Sequence, residues 1–225
     1  MQIKAPTLSF LRDLAKHNYR EWFQAHRTRY EDALANVRAF ADDLIERMNR
    51  HDRIETPNGK EALYRIYNDQ RFHKEKLPYK EHLAGSLVRS KPALRGGYYF
   101  QVKPGASFIG CGFWDPGKED LKRLRTDILY DHPMWESLLN GERLKRMWGG
   151  LEGAQLKTAP RGFPKDHPAM GLLRRTQFLF TRRYTNKQVL DAGWAADADR
   201  AFQALRPWLD HMSEVLTTDE NGNPV

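Results

Sequence analysis

The feature that most constrains this chain is a change of apolar period along its length. From residue 30 to residue 48, apolar residues recur every three or four positions, which places them on one side of a long helix. From residue 97 to residue 114, the pattern becomes that of strands rich in aromatic and small residues. Helical spacing returns from Trp194 to Leu216. Helices, then strands, then helices predict an α+β fold with N-terminal helices and a central, mainly antiparallel sheet covered by helices.

The N-terminal segment predicts two short helices before the long one. Phe10, Leu11 and Leu14 follow Ser9, which we expect to be the N-cap of the first helix. Asn18 and Glu21 have the spacing of a capping box, so the second helix is expected to begin at Asn18.

The strands are expected at four places. Residues 97–103 and 107–114 flank Pro104-Gly105 and predict an antiparallel hairpin, with Tyr99 opposite Gly110 if the turn has two residues. Residues 63–72 and 177–184 also have strand character, whereas residues 83–89 fit a helix or a strand.

Helices are further expected at residues 118–130, 133–139 and 166–175. Pro207 should kink or split the C-terminal helix, because its ring removes one backbone hydrogen bond. The pattern as a whole predicts one domain from residue 1 to residue 216 and a frayed polar tail over residues 217–225.

Composition excludes several classes of protein. With 225 residues the chain can bury a full core, and its single cysteine, Cys111, provides neither an internal disulfide nor a thiolate metal site. Charged residues interrupt the first 18 positions, and no apolar run approaches the roughly 20 residues of a membrane span. The histidines lack zinc-type spacing, and no phosphate-binding glycine loop is present. We therefore expect a cytoplasmic protein without a metal or cofactor.

The net charge of +8 is concentrated in two stretches. Residues 60–103 contain ten Lys or Arg and four Asp or Glu, and residues 161–183 contain six basic residues and Asp166. Concentrated positive charge favours phosphorylated metabolites, nucleic acids or acidic proteins as partners, although a solvated basic surface without a partner has the same composition.

The densest stretch runs from Arg65 to Lys80. If residues 63–72 are a strand, Arg65, Tyr67, Asp69 and Arg71 share one face, and Tyr64, Ile66 and Phe72 share the other. Arginine, lysine and tyrosine donors beside a proline-stiffened loop suit a phosphate or carboxylate. The expected ligand-binding residues are Arg65, Asp69, Arg71, Lys76, Tyr79, Lys80, Tyr99 and Arg161.

The same residues also fit a structural ion-pair network. An Asp69 carboxylate among so many cations is expected to pair with Arg65, Arg71 or Lys76, and such a network could hold a strand against a helix without any ligand.

These residues occur in a wider pattern. Phe10-Leu11, residues 18–23, residues 65–80, Gly97-Tyr98-Tyr99, residues 110–116 and residues 159–168 together resemble the bacterial and fungal family called domain of unknown function 2461. The resemblance covers nearly the whole chain. The family pattern usually has an arginine near Asn68 and an aspartate near Glu75, and this sequence departs from it there. The resemblance implies a fold and draws attention to the basic stretch, and it implies no reaction.

Three hypotheses of function follow. The first is a pocket for a small anionic ligand, in which Tyr79, Lys80 or Lys76 is a candidate acid or base because adjacent positive charge lowers a tyrosine pKa. The second is a nucleic-acid binding module in which Tyr98, Tyr99 or Trp114 stacks on bases. The third is a basic surface that binds an acidic segment of another protein. A metal-dependent nuclease is disfavoured, because Glu75 and Lys76 are adjacent and would point to opposite faces of a strand.

Overall fold

A computed structural model describes residues 1–69 and 76–218 of the chain. Its helices are α1 Ala5–Lys16, α2 Arg20–Ala25, α3 Arg27–Met48, α4 Gly59–Ala62, α5 Lys118–Tyr130, α6 His132–Asn140, α7 Glu142–Trp148, α8 Met170–Leu173, α9 Asn186–Val189 and α10 Trp194–Thr217. Its strands are β1 Leu83–Val88, β2 Gly97–Val102, β3 Ser107–Phe113 and β4 Phe178–Tyr184. The elements form an α+β fold with helices at both ends, as the change of period predicts.

The described strands form an antiparallel sheet in the order β1-β2-β3-β4. The predicted pairing of β2 with β3 is therefore confirmed. Their turn is closed by a hydrogen bond of 3.0 Å that the Ala106 N–H donates to the Lys103 carbonyl. Gly105 has a φ of +74°, which a type II turn requires at its third position and which glycine adopts without strain.

The chain groups into two compact units. The described residues within 1–87, 99–109 and 183–200 form the first, and those within 88–98, 110–182 and 201–218 form the second. The expectation of one domain over residues 1–216 stays a prediction. The expected tail at 217–225 falls mostly outside the described residues, although Thr217 still belongs to α10.

The core of the first unit forms where α3 packs on the inner face of β2. Phe100 and Val102 are fully buried, and the Phe100 ring meets Phe40 of α3 edge-on at 5.5 Å between centroids. Phe40 also stacks on Trp194 at 4.4 Å. Because side chains alternate along a strand, the same residues of β2 that build this core leave Tyr99 and Gln101 on the opposite face.

The core of the second unit is built around Trp208 of α10. Its ring meets Trp135 of α6 at 4.9 Å and Phe180 of β4 at 5.8 Å, both in edge-on geometry. Helix α10 runs through Pro207 without interruption, so the expected split does not occur. The buried apolar stripe on both sides of Pro207 holds the helix in one piece despite the missing backbone donor.

Two predicted helix starts are wrong. Helix α1 begins at Ala5, with Pro6 in its first turn, so Ser9 lies inside the helix and is not its cap. Proline is favoured in the first turn because the N–H that it lacks has no helical partner there. Helix α2 begins at Arg20, its N-cap Tyr19 makes no side-chain cap bond, and Asn18 lies before it.

Two further predicted elements are shorter than expected. Within residues 63–69 there are isolated bridges, from Leu63 to Gly85 and from Tyr67 to Tyr79, in place of a continuous strand. Pro78 cannot donate a backbone hydrogen bond, which limits the ladder there. The predicted helix at 166–175 is reduced to α8, because Pro168 disfavours helical geometry at the residue before it. In the described residues, no helix is long and apolar enough to cross a bilayer.

A glycine on α4 provides a test of this packing. A Cβ at Gly59 would lie 2.2 Å from the Arg38 carbonyl oxygen of α3, and the Gly59 N–H donates to Asp42 at 2.6 Å. Gly59→Ala is expected to lower the free energy of unfolding by about 2 kcal/mol, because the backbone of α3 must move. Urea denaturation of the variant and of the parent protein measures this change in the free energy of unfolding.

The matched control is Gly171→Ala, which also places alanine in a four-residue helix. Nothing lies within 4 Å of a Cβ at Gly171, so this change should leave stability equal or raise it by up to about 1 kcal/mol. Equal effects at the two glycines would contradict the close approach of α3 and α4.

Candidate functional site

The predicted site begins on two chain segments that run antiparallel at the edge of β1. The Tyr64 N–H donates to the Ala84 carbonyl at 2.9 Å, and the Asn68 N–H donates to the Pro78 carbonyl at 2.9 Å. We call residues 63–69 and 76–82 the edge ribbon. It brings Lys80 next to Arg65 and Tyr79 opposite Tyr67.

The edge ribbon is anchored to the N-terminal helices by Asn18. The Asn18 side chain donates to the Tyr79 carbonyl at 2.9 Å and accepts from the Tyr79 N–H at 3.0 Å. The Tyr79 ring stacks on Phe23 of α2, with 4.0 Å between centroids. Asn18 therefore serves as a backbone clamp, and this is the physical reason that it does not cap α2.

The Tyr79 side chain packs into the protein, and its role as an acid or base stays a prediction. Its side chain is buried, and burial raises its pKa, with a further upward contribution from Tyr67. The expectation that neighbouring cations lower the pKa of Tyr79 is therefore wrong, because desolvation of the phenolate outweighs them. Its ring is part of an aromatic core with Phe23 and Tyr67.

Lys80 is turned onto the edge ribbon itself. Its Nζ donates to the Arg65 carbonyl at 2.6 Å and lies 3.5 Å from the Tyr67 carbonyl. Burial lowers the pKa of Lys80, and the positive charge of Arg65 lowers it further. The lysine thus stabilises the ribbon while its charge stays beside that of Arg65.

His82 lies among these charges. Burial is the main cause that lowers the pKa of His82, followed by the positive charges of Lys103 and Lys80, while Glu81 opposes the shift. Lys103 forms an ion pair with Glu81 at 3.1 Å between Nζ and Oε2. Two cations and one carboxylate therefore act on a half-buried imidazole.

An aromatic row lies next to this cluster. The rings of Tyr64 and Tyr99 are 6.4 Å apart, and those of Tyr99 and Phe108 are 5.3 Å apart. The Tyr99 hydroxyl donates to Gln101 at 3.2 Å, and burial raises the pKa of Tyr99 to about 12. The expected apolar pairing of Tyr64 with Ile66 is wrong, since Ile66 is buried while Tyr64 is 49% exposed.

Strand alternation places the two groups on the same side of the sheet. Gly85 of β1 faces Phe100 on the inner side of the sheet, so Ala84 and His82, which directly precedes β1, lie on the outer side. Tyr99 and Gln101 of β2 and Lys103, which directly follows β2, also lie on the outer side. The basic–aromatic face is defined as Tyr64, His82, Tyr99, Lys103 and Phe108 on the outer side, together with Lys80, whose charge acts on His82, and Arg65, whose charge acts on Lys80.

The other predicted site residues are placed as follows. Lys76 is exposed and Asp69 is half-buried, both on the edge ribbon. Arg71 lies outside the described residues, and the ion pair expected of Asp69 stays a prediction, as does the structural network of Arg65, Asp69 and Arg71. Arg161 is exposed in a turn of the second unit, and its part in a shared pocket also stays a prediction.

Four members of the face were missed by the sequence analysis. Tyr64, His82, Lys103 and Phe108 lie outside the run of donors that drew attention to residues 65–80. A signal was present, because period-two alternation puts Lys103 on the same side as Tyr99. In the described part of the chain, no three His, Cys, Asp or Glu side chains are grouped so that they could hold a metal ion.

Comparison with known proteins gives one result. The family of conserved hypothetical proteins DUF2461 matches residues 6–211, so the chain belongs to this family, as the resemblance predicted. No curated protein matches the chain, and no solved structure matches it.

The Asn18 clamp gives a stability prediction. Asn18→Ala removes two hydrogen bonds to the Tyr79 backbone and is expected to lower the free energy of unfolding by about 2 kcal/mol. Asn140→Ala is the matched control, because Asn140 is exposed at the end of α6. Urea denaturation of both variants tests this prediction. If Asn18→Ala unfolds like Asn140→Ala, the clamp carries no stability.

His82 gives a pH prediction. Because its pKa is lowered in the folded protein, its contribution to stability is complete above the ordinary value of 6.5 and is lost as the pH falls below it. Histidine NMR titration should place the pKa of His82 below 6.5, and Lys103→Met should raise it by removing a cation. A titration of His82 at or above 6.5 in the parent protein would contradict the described surroundings.

Proposed function

We propose that this chain binds a small ligand in which a phosphate or carboxylate group is attached to a flat ring, and that the basic–aromatic face holds this ligand. The observation that carries the proposal is the position of Lys80 and Lys103 near His82, with Arg65 beside Lys80 and the aromatic row next to them. The anionic group would lie at the cations, and the ring would contact Tyr64.

Charge supports an anionic ligand. Glu81 pairs with Lys103, and Lys80 bonds to carbonyl groups, which do not neutralise it. The exposed guanidinium of Arg65 makes no hydrogen bond or ion pair within residues 1–69 and 76–218. Positive charges held close together are unfavourable unless solvent or an anion compensates them, so an anion should bind with a gain in stability.

The aromatic row supports a ring beside the anionic group. Tyr99 and Phe108 are half-buried and fix the position of Tyr64, whose ring is half exposed at the end of the row. A planar group can stack on an exposed tyrosine ring, and such stacking contributes about 1–3 kcal/mol per base in nucleic-acid binding proteins. One exposed ring suits one ligand ring better than a long strand of bases.

Adenosine 5′-monophosphate is the first probe, with adenosine and inorganic phosphate as its two halves. The whole nucleotide is expected to bind more tightly than either half, measured by isothermal titration calorimetry. Lys103→Gln should weaken nucleotide binding about tenfold, and Tyr64→Ala should weaken it several-fold without changing phosphate binding. The matched control is Lys122→Gln, an exposed lysine on α5 that should leave binding unchanged.

A second readout does not depend on the choice of nucleotide. Inorganic phosphate bound at the cations should raise the pKa of His82, because an anion favours the imidazolium. If neither phosphate nor the nucleotide changes the His82 titration, the proposal fails. If a single-stranded oligonucleotide binds with an affinity that grows with length and falls steeply with salt, the face belongs to a nucleic-acid binding protein and the small-ligand proposal is also wrong.

A further inference from the structure

A separate cleft opens in the first unit beside the start of α1. Its volume is about 450 Å³, which lies within the range of small-molecule sites. Its lining is Ala5, Pro6, Leu8, Ser9, Arg12, Arg29, Asn186 and Leu190. Two cations and two neutral polar side chains thus share the wall with apolar residues, and the lining includes no carboxylate.

The two arginines of the cleft differ in their charge balance. Arg29 forms an ion pair with Asp13, at 2.7 Å between Nη2 and Oδ2, and its guanidinium lies 6.0 Å above the Phe10 ring. Arg12 is exposed and makes no hydrogen bond or ion pair with the described chain. The pKa of Asp13 is lowered foremost by Arg29 and then by the charges of Lys16 and Arg12. The cleft therefore contains one uncompensated positive charge.

Neutral donors are also available there. The Asn186 Oδ1 accepts from the Gly105 N–H at 2.8 Å, which fixes the amide and leaves its NH₂ group to donate. The half-buried Ser9 hydroxyl makes no hydrogen bond with the described residues. A guanidinium, an amide and a hydroxyl are donors that a carboxylate accepts from.

We infer that this cleft binds a small monocarboxylate with an apolar body. One uncompensated charge matches a singly charged carboxylate, whose plane fits the fork of Arg12. A doubly charged phosphate would require a second free cation, and Arg29 is already paired. Ala5, Leu8 and Leu190 provide the surface for an apolar chain. This site shares no residue with the basic–aromatic face and does not rest on the function proposed for that face.

Pentanoate is the probe, and pentanamide of equal size and shape is its uncharged control. Pentanoate is expected to shift the NMR signals of the Arg12 guanidinium and the Ser9 amide in a saturable way, and pentanamide should not. Arg12→Gln should weaken pentanoate binding at least fivefold. The matched variant Arg53→Gln, an exposed arginine of the same unit without a side-chain partner in the described residues, should bind like the parent.

Asp13→Asn tests the same charge argument in the opposite direction, because this variant is expected to strengthen binding. Removing the carboxylate frees Arg29, so pentanoate should bind about threefold more tightly and inorganic phosphate should begin to bind. Circular dichroism confirms that each variant is folded. Equal shifts from pentanoate and pentanamide, unchanged binding in Arg12→Gln, or phosphate binding tighter than pentanoate binding in the parent would overturn the inference.

Discussion

The alternation of side chains along β2 is the constraint on which the core and the site of the first unit both depend. Phe100 and Val102 face inward and are fully buried, so Tyr99 and Gln101 must face outward. A shift of one residue in register would exchange the two sets and would expose two apolar side chains. The packing of Phe100 against Phe40 of α3 therefore also fixes the position of Tyr99 on the outer face of the sheet.

Desolvation explains why neighbouring residues of the basic stretch have different structural roles. Lys80 is partly buried and reaches carbonyl oxygens of the edge ribbon, which stabilise the ammonium without cancelling its charge. Tyr79 is buried more deeply, and its ring packs on Phe23 as a neutral group. Neighbouring residues of one sequence motif thus have different roles, because burial acts on each side chain according to its position.

Most of the fold could be predicted from period and turn chemistry. The long helix α3, the β2–β3 hairpin at Pro104-Gly105 and strand β4 follow directly from them. The errors arose where a long-range contact outweighed a local preference. Asn18 has the spacing of a cap, yet both of its hydrogen bonds go to Tyr79, 61 positions away in the sequence. The site was predicted only in part for the same reason, because His82 and Lys103 meet across strands that the sequence does not show as neighbours.

The two proposed sites of the first unit differ in the number of positive charges that acidic residues leave uncompensated, and this difference is the basis for proposing different ligands. At the basic–aromatic face, three cations have one carboxylate between them, and a half-buried imidazole can add a further charge when an anion arrives. In the cleft, Asp13 already compensates Arg29, and Arg12 is left as a single charge beside apolar walls. A phosphate has two negative charges near neutral pH and gains more from the first arrangement, while a carboxylate is satisfied by the second. Under the two proposals, the same basic composition would yield two different selectivities, because the acidic residues, Glu81 and Asp13, determine how much positive charge each site retains.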